Sequence, residues 1–202
     1  MLNMPHTRTR GYTLIELLVV IAILGIILPA LYYGIQALYD GHAHAFSRAR
    51  ALLEAHRAQE VLVRDIRAAV YAEDGSLPLI DIATSTITLY SDTDLDGRVE
   101  RVRYYLDSET LMRGVVEPTA TSSYPLDTEW ITDVADGITN NTGGIDLFRY
   151  FSATSSEITS ASQSLDVRRV EISIQAASRF RSETALVTLR SSASIRNLKD
   201  VY

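Results

Sequence analysis

The chain has no cysteine, only one lysine and one tryptophan, and no histidine after His56. Without cysteine no disulfide can hold the fold, so the packing of an apolar core must suffice. Without histidine the C-terminal part cannot build a Ser-His-Asp triad, and no Gly-x-Ser-x-Gly motif occurs. We therefore expect that the protein is not an enzyme.

Positive charge is also scarce. The net charge is −6, and residues 1–34 carry two arginines and one glutamate, which leaves −7 for the remainder. A negative surface repels phosphate backbones and anionic headgroups. We therefore expect no general nucleic-acid binding.

No charged residue interrupts the apolar run from Leu17 to Tyr33. Together with Tyr12–Glu16 it makes a helix of 22 residues, about 33 Å long, which is enough to span a bilayer core. The run is too long for the h-region of a secretory signal, and cleavage at the A-x-A-like Ala43–Ala45 would leave Glu16 unexplained. The two arginines before the run keep the N-terminus cytoplasmic, so the rest is exported.

Glu16 is the one acid within this apolar segment. A carboxylate inside a bilayer costs about 2.5–3.5 kcal/mol at a helix centre and less near the end, so it needs a partner. Cleavage after Gly11 would create a new amine at Tyr12. That amine and the carboxylate can neutralise each other, most naturally between neighbouring subunits.

The segment from Arg10 to Pro29, which begins RGYTLIELLVV, resembles the type IV prepilin signature: a short basic leader ending in glycine, an aromatic residue, Thr-Leu-Ile-Glu and a long apolar helix. Tyr12 stands where the family usually has phenylalanine, and Pro29 comes earlier than the usual kink proline. The resemblance implies cleavage after Gly11 by a prepilin peptidase and N-methylation of Tyr12. It also implies storage in the bilayer, then assembly with other pilin or pseudopilin subunits on an inner-membrane platform.

Four pieces follow one another: a leader (1–11), a transmembrane helix (12–34), an amphipathic extension of that helix (35–74) and a β-rich domain (75–202). A glycine, Gly75, is expected to cap the helix in the left-handed conformation. The apolar stripe of the extension is predicted at Leu52, Gln59, Val63, Ile66 and Val70, widened by Leu53, Leu62 and Ala69. Arg50, Arg57 and Arg64 recur on the polar side, either as a solvated face or as a basic stripe that faces a neighbouring subunit.

Beyond Pro78 the apolar period changes to two. Strands are predicted at 86–90, 98–104 and 110–115 as an antiparallel meander, at 167–176 and 185–195 as a pair, and weakly at 146–151. Residues 152–164 are rich in serine and threonine and predict an exposed mobile loop. The fold class is α+β, a long N-terminal membrane-spanning helix packed on an antiparallel β-sheet, which is pilin-like. Residues 91–118 also resemble the globular part of minor pilins and J-type pseudopilins.

The turn after the first strand of the meander is acidic. Asp92, Asp94 and Asp96 with Gly97 follow the D-x-D-x-D-G start of a calcium loop, and Glu100 takes the ninth position. Arg103 occupies the twelfth position, where an EF-hand needs its bidentate glutamate, so an EF-hand is excluded. The alternatives are a Ca²⁺ site, the one cofactor the sequence suggests, and a plain acidic hairpin turn.

The leading hypothesis is a structural minor pilin or pseudopilin subunit of a type IV pilus or type II secretion-type filament. It would reside in the cytoplasmic membrane and then in a periplasmic or cell-surface filament. The alternative is a filament-tip binding module that contacts a surface, DNA or a secreted substrate through the Ser/Thr-rich loop and the Trp130 region. A membrane-anchored enzyme is the weakest hypothesis, because no catalytic constellation is present.

Overall fold

The computed structural model describes residues 11–180 and 183–195. The chain forms two compact units, one ending at Ala45 and the other beginning at Phe46. Helix α1 runs from Leu14 to Arg67, with Pro29 inside it. In the first unit the large apolar side chains of α1 are exposed from Leu14 to Tyr39. This long apolar surface has no cover within the described chain.

In the second unit α1 packs on the β-structure through small side chains. Its buried face consists of Ala51, Ala55, Ala58, Leu62, Asp65 and Ile66. The predicted stripe is wrong at its start, where Leu52 is 40% exposed and Leu53 is 69% exposed, and is confirmed further along, where Leu62, Ile66 and Ala69 are fully buried. Alanine has no bulk beyond its β-carbon, so an alanine face lets the helix backbone approach the core closely and turns the two leucines outward.

The helix ends at Arg67 and not at residue 74. The N–H of Val70 donates to the Tyr90 carbonyl (2.9 Å), so the backbone leaves the helix to join the first sheet. Gly75 does take a left-handed φ of 85°. It lies, however, in a separate turn, in which its N–H donates to the Ala72 carbonyl. The predicted C-cap is therefore wrong in its place, although the glycine has the predicted conformation.

The first sheet has five strands in the order β1-β2-β3-β4-β5, and all pairs are antiparallel. The strands are Leu79–Ile82, Thr86–Ser91, Glu100–Asp107, Thr110–Val116 and Trp130–Ala135. The middle three are the predicted meander, which is confirmed. A 3-10 turn at Leu126–Thr128 leads into β5.

The second sheet has the order β7-β6-β8-β9, again antiparallel. Its strands are Phe148–Phe151 (β6), Glu157–Ile158 (β7), Arg169–Phe180 (β8) and Glu183–Ser194 (β9), and a short helix α2 at Asn140–Gly143 precedes them. The strand pair predicted near the C-terminus is confirmed, with residues 181–182 of its turn outside the described range. The fold class is confirmed, but two sheets replace the single predicted one.

The Ser/Thr-rich segment is more ordered than predicted. It contributes β7 and a 3-10 helix at Ala161–Asp166. Ile158 is 4% exposed and pairs with Tyr150 of β6. Ile158 thus buries its apolar side chain, and this otherwise polar segment forms the short edge strand β7.

Two glycines allow close approaches between elements. A β-carbon on Gly114 of β4 would lie 2.3 Å from Glu129 Oε1. Glu129 can therefore cross the sheet to accept hydrogen bonds from Arg103 Nε (2.9 Å) and Nη2 (2.5 Å). A β-carbon on Gly143 of α2 would lie 1.9 Å from Gln175 Oε1, a buried atom that has no hydrogen-bond partner among the described residues.

Candidate functional site

The start of α1 has a self-contained hydrogen-bond network. The Glu16 N–H donates to Thr13 Oγ1 (3.3 Å), and Glu16 Oε2 accepts the Thr13 N–H (3.2 Å) and hydroxyl (3.3 Å). This is a capping box, in which the first and fourth residues satisfy each other's unpaired donors. The Thr-Leu-Ile-Glu run that carries the prepilin resemblance thus also fixes where the helix begins.

The predicted processing residues lie directly before this network. Gly11 and Tyr12 are exposed and precede the helix, and Tyr12 is 88% exposed. Glu16 is exposed as well. Residues 1–10 of the leader fall outside the described range. The pairing of Glu16 with the Tyr12 amine of another subunit stays a prediction, as does cleavage after Gly11.

A family model for the prokaryotic N-terminal methylation motif matches residues 6–31. The predicted signature is thereby confirmed, and the N-terminal segment of this chain is type IV pilin-like. Helix α1 near the N-terminus is long and apolar enough to cross a membrane, judged by length and composition. No curated protein matches the chain.

The acidic turn brings its four predicted ligands together. One carboxylate oxygen each from Asp92, Asp94, Asp96 and Glu100 lies within 4.8 Å of the others. Ca²⁺ binds oxygens at 2.3–2.6 Å, so ligands on opposite sides of the ion are about 5 Å apart. The four residues therefore fit a calcium ion in spacing and in chemistry. Further oxygens would come from second carboxylate oxygens, backbone carbonyls or water, because Ca²⁺ takes six to eight.

The same oxygens shape the turn without a metal. Asp92 accepts the N–H groups of Leu95 (2.7 Å) and Gly97 (3.1 Å), and Glu100 Oε2 accepts the N–H of Thr93 (2.7 Å). Burial raises the pKa of the Glu100 carboxyl above its usual range, although the bonds from Thr93 oppose this shift. An acid that is hard to ionise gains from a nearby cation. Both predicted interpretations of the turn stay open.

A buried charge cluster links α1 to the first sheet, and the sequence did not reveal it. The side chain of Asp65 is 2% exposed. Its Oδ2 accepts the Tyr104 hydroxyl (2.6 Å) and Arg113 Nη2 (3.2 Å), and its Oδ1 accepts Arg64 Nε (3.0 Å). Burial foremost, with the charge of Asp65 next, holds the pKa of Tyr104 well above its usual range, so the hydroxyl remains a donor. The one available signal was the position of Asp65 in step with Leu62 and Ala58.

The Trp130 region, proposed as a binding surface, is an open cleft. Trp130 is 73% exposed. The cleft has a volume of about 400 Å³ and is lined by Arg113, Val115, Glu117, Thr128, Trp130 and Thr132. Val115 pairs with Trp130, and Arg113 pairs with Thr132, so β4 and β5 form its floor and wall. The Ser/Thr-rich loop contributes no residue to this lining.

Proposed function

We propose that this chain is a structural minor pilin or pseudopilin subunit of a type IV pilus or type II secretion-type filament. The observation that supports it is the methylation motif at the head of an apolar helix whose large side chains stay exposed as far as Tyr39. The family that this motif defines is structural. A catalytic role therefore has no support from the motif.

The assembly step follows from the solvation of α1. In the bilayer, lipid covers the exposed apolar side chains. After extraction by the inner-membrane platform, only neighbouring apolar helices can replace lipid. Exclusion of that surface from water is favourable by about 25 cal/mol per Å². The exported domain then lies in a periplasmic or surface filament.

Cleavage is tested by N-terminal sequencing after co-expression with a prepilin peptidase. We expect a mature chain that begins at Tyr12. Gly11→Leu should leave the full-length precursor in the membrane, because the side chain blocks the bond to be cut. Gly34→Leu is the matched control, since Gly34 lies on α1 beyond the motif and has nothing within 4 Å of an added β-carbon. Wild-type chain that begins at Met1, or beyond Ala45, would contradict the proposal.

Assembly is tested at Glu16. Glu16→Ala should insert and be cleaved normally but enter filaments poorly, because a neighbour's Tyr12 amine would then be buried unpaired, at a cost of several kcal/mol. Glu16→Gln should be similarly or slightly less impaired. Glu60→Ala, which removes an exposed acid of the same helix, should assemble normally. Normal filament incorporation of Glu16→Ala at normal protein levels would refute the ion pair.

We further propose that the acidic turn binds Ca²⁺ in the exported domain. The proposal is supported by the convergence of the four carboxylates on one tight turn. A bound ion would hold together a turn in which Leu95 already has a φ of 65°, unusual for a residue other than glycine.

A further inference from the structure

In the second unit, helix α1 turns an apolar and basic face away from the β-structure. Phe46 is 76% exposed and Leu53 is 69% exposed, and Ala49 between them is exposed as well. Steps of three and four residues put these side chains on one face of the helix. Two large apolar side chains that are exposed on one face gain free energy when another surface covers them.

Three arginines flank this apolar part. Arg50, Arg57 and Arg64 are exposed and recur every seven residues, which is about 10.5 Å along the helix. Among the described residues, Arg50 and Arg57 have no ion-pair partner, and Arg64 pairs only with Asp65, which also binds Arg113. The row of arginines therefore keeps most of its positive charge. The outward face is the set Phe46, Ala49, Arg50, Leu53, Arg57 and Arg64.

The positive charge of the outward face stands out against the rest of the exported domain. Residues 68–202 contain 20 acidic and 12 basic residues, a net charge of −8, whereas residues 46–67 carry five arginines and three acids. One of those acids, Asp65, is buried. Positive charge is therefore concentrated on the exposed side of one helix, where a partner with carboxylates is attracted and oriented.

The spacing of the outward face suits a second α-helix as the partner. Two parallel helices in contact repeat their contacts every seven residues, and the charged residues beside the apolar seam select the partner. Phe46, Ala49 and Leu53 occupy the seam, and the three arginines stand directly beside it. Subunits that share the N-terminal anchor enter the filament with their helices in the same direction, so the parallel arrangement applies.

We propose that the outward face of α1 binds the helix of a different filament subunit, which carries acidic residues seven positions apart beside its own seam. A second copy of this chain does not suit the face. In a parallel pair it would present Ala45, Leu52 and Gln59 to the arginines, and none of these is acidic. The inference rests on the proposed assembly function and specifies the partner of the exported half of α1.

The contact is weak outside a filament. His56 and Glu60 follow Leu53 in the seam positions, so the apolar part covers only about two turns of the helix. A neighbour that is already held in the filament has a high effective concentration, which compensates for weak intrinsic binding. The arginines then decide which neighbour is accepted.

A labelled helical peptide tests the choice of partner. The probe is three repeats of Leu-Gln-Ala-Leu-Ala-Gln-Glu with fluorescein, whose glutamates stand beside the seam, and the control peptide has lysine in place of glutamate. The full-length protein is titrated in nanodiscs of neutral lipid, with empty nanodiscs as the baseline. We expect a saturable rise in fluorescence anisotropy at submillimolar protein, about tenfold tighter for the glutamate peptide and weakened by high salt.

Charge reversal sharpens the test. The double variant Arg50→Glu with Arg57→Glu should reverse the preference, so that the lysine peptide binds more tightly than the glutamate peptide. Arg48→Glu is the matched control and should keep the wild-type preference. Arg48 is an exposed arginine of the same helix, two residues after Phe46 and thus about 200° around the helix axis.

Three results would overturn the inference. The first is the absence of saturable binding of the glutamate peptide, and the second is equal binding of both peptides, which would indicate unspecific apolar contact. The third is a dimer of the wild-type protein in sedimentation that Leu53→Asp dissociates, because a second copy would then occupy the face.

In cells, the Arg50→Glu, Arg57→Glu variant should be inserted and cleaved normally but incorporated into filaments less than wild type and Arg48→Glu. Normal incorporation of this double variant would refute the helix contact alone. Failure of the filament proposal itself would show instead in the Gly11 and Glu16 variants.

Discussion

Asp65 offers the sharpest test of how the exported domain is held together. Asp65→Ala leaves the Tyr104 hydroxyl and Arg113 without their common acceptor, both at distances of 3.2 Å or less. Removal of one member of a buried ion pair costs about 3–5 kcal/mol. The Arg113 side chain is 19% exposed and can regain some hydration, which places the loss in the free energy of unfolding at the lower end, about 3 kcal/mol. The Arg64 side chain is 65% exposed, and its loss of partner adds only about 0.5 kcal/mol.

Urea unfolding of the full-length protein in detergent, followed by circular dichroism of the β-structure, measures this loss. For a domain of this size ~3 kcal/mol corresponds to a fall in melting temperature of roughly 6–12 °C. Arg64→Ala is the matched control and should change the free energy of unfolding by less than about 1 kcal/mol. The double variant Asp65→Leu with Arg113→Met should regain most of the loss, because apolar replacement of a buried pair is often neutral. A destabilisation by Asp65→Ala of less than about 1 kcal/mol would refute the role assigned to this cluster.

Three further outcomes concern the acidic turn and α2. Calcium should raise the melting temperature of the wild-type protein relative to chelator, and substitution of Asp92, Asp94 and Asp96 by asparagine should abolish that difference. If the wild-type melting curves with calcium and with chelator are superimposable, only the interpretation as an acidic hairpin turn is left. Burial raises the pKa of Glu100 in the folded protein, so folding favours its protonated carboxyl. The resulting contribution to the free energy of unfolding is present below the unfolded-state pKa and is lost as the pH rises through the folded-state pKa. Glu100→Gln in chelator should therefore raise the melting temperature at pH 7 but not at pH 3, and no gain at pH 7 would contradict the burial argument. Gly143→Ala should lower the free energy of unfolding by about 1–3 kcal/mol through its clash with Gln175, and Gln175→Ala in the same chain should relieve much of that cost. If the two substitutions have strictly additive effects on the free energy of unfolding in urea, the clash is contradicted.

The parts of the structure that local sequence determines were predictable. The alternation of apolar and polar residues placed the strands of the meander and the β8–β9 pair, because a half-exposed strand must alternate. The Thr-Leu-Ile-Glu run gave both the motif and the carboxylate at its centre. The carboxylates of the turn aspartates were predicted to lie close together because these residues are two positions apart on one tight turn.

The parts that depend on distant partners were not predictable from one sequence. Asp65 looked like any helical acid, since Tyr104 and Arg113, which make its burial possible, are 39 and 48 residues away. The first turns of the buried face of α1 were misplaced because leucines outweigh alanines in an apolar pattern, whereas close packing on the β-structure favours Ala51, Ala55 and Ala58. The early end of the helix depends on a bond from Val70 to a strand, which no local rule contains.

Gly114 has a consequence for how sequences related to this chain can vary. The Glu129 carboxylate occupies the space that a side chain at position 114 would fill, and it accepts a hydrogen bond from Arg103 there. A relative with any side chain at position 114 should lack a long acid at position 129, and its Arg103 should then be replaced or find another anion. These three positions should therefore change together during evolution, even though position 114 lies on β4, position 129 lies directly before β5, and neither belongs to a recognisable motif.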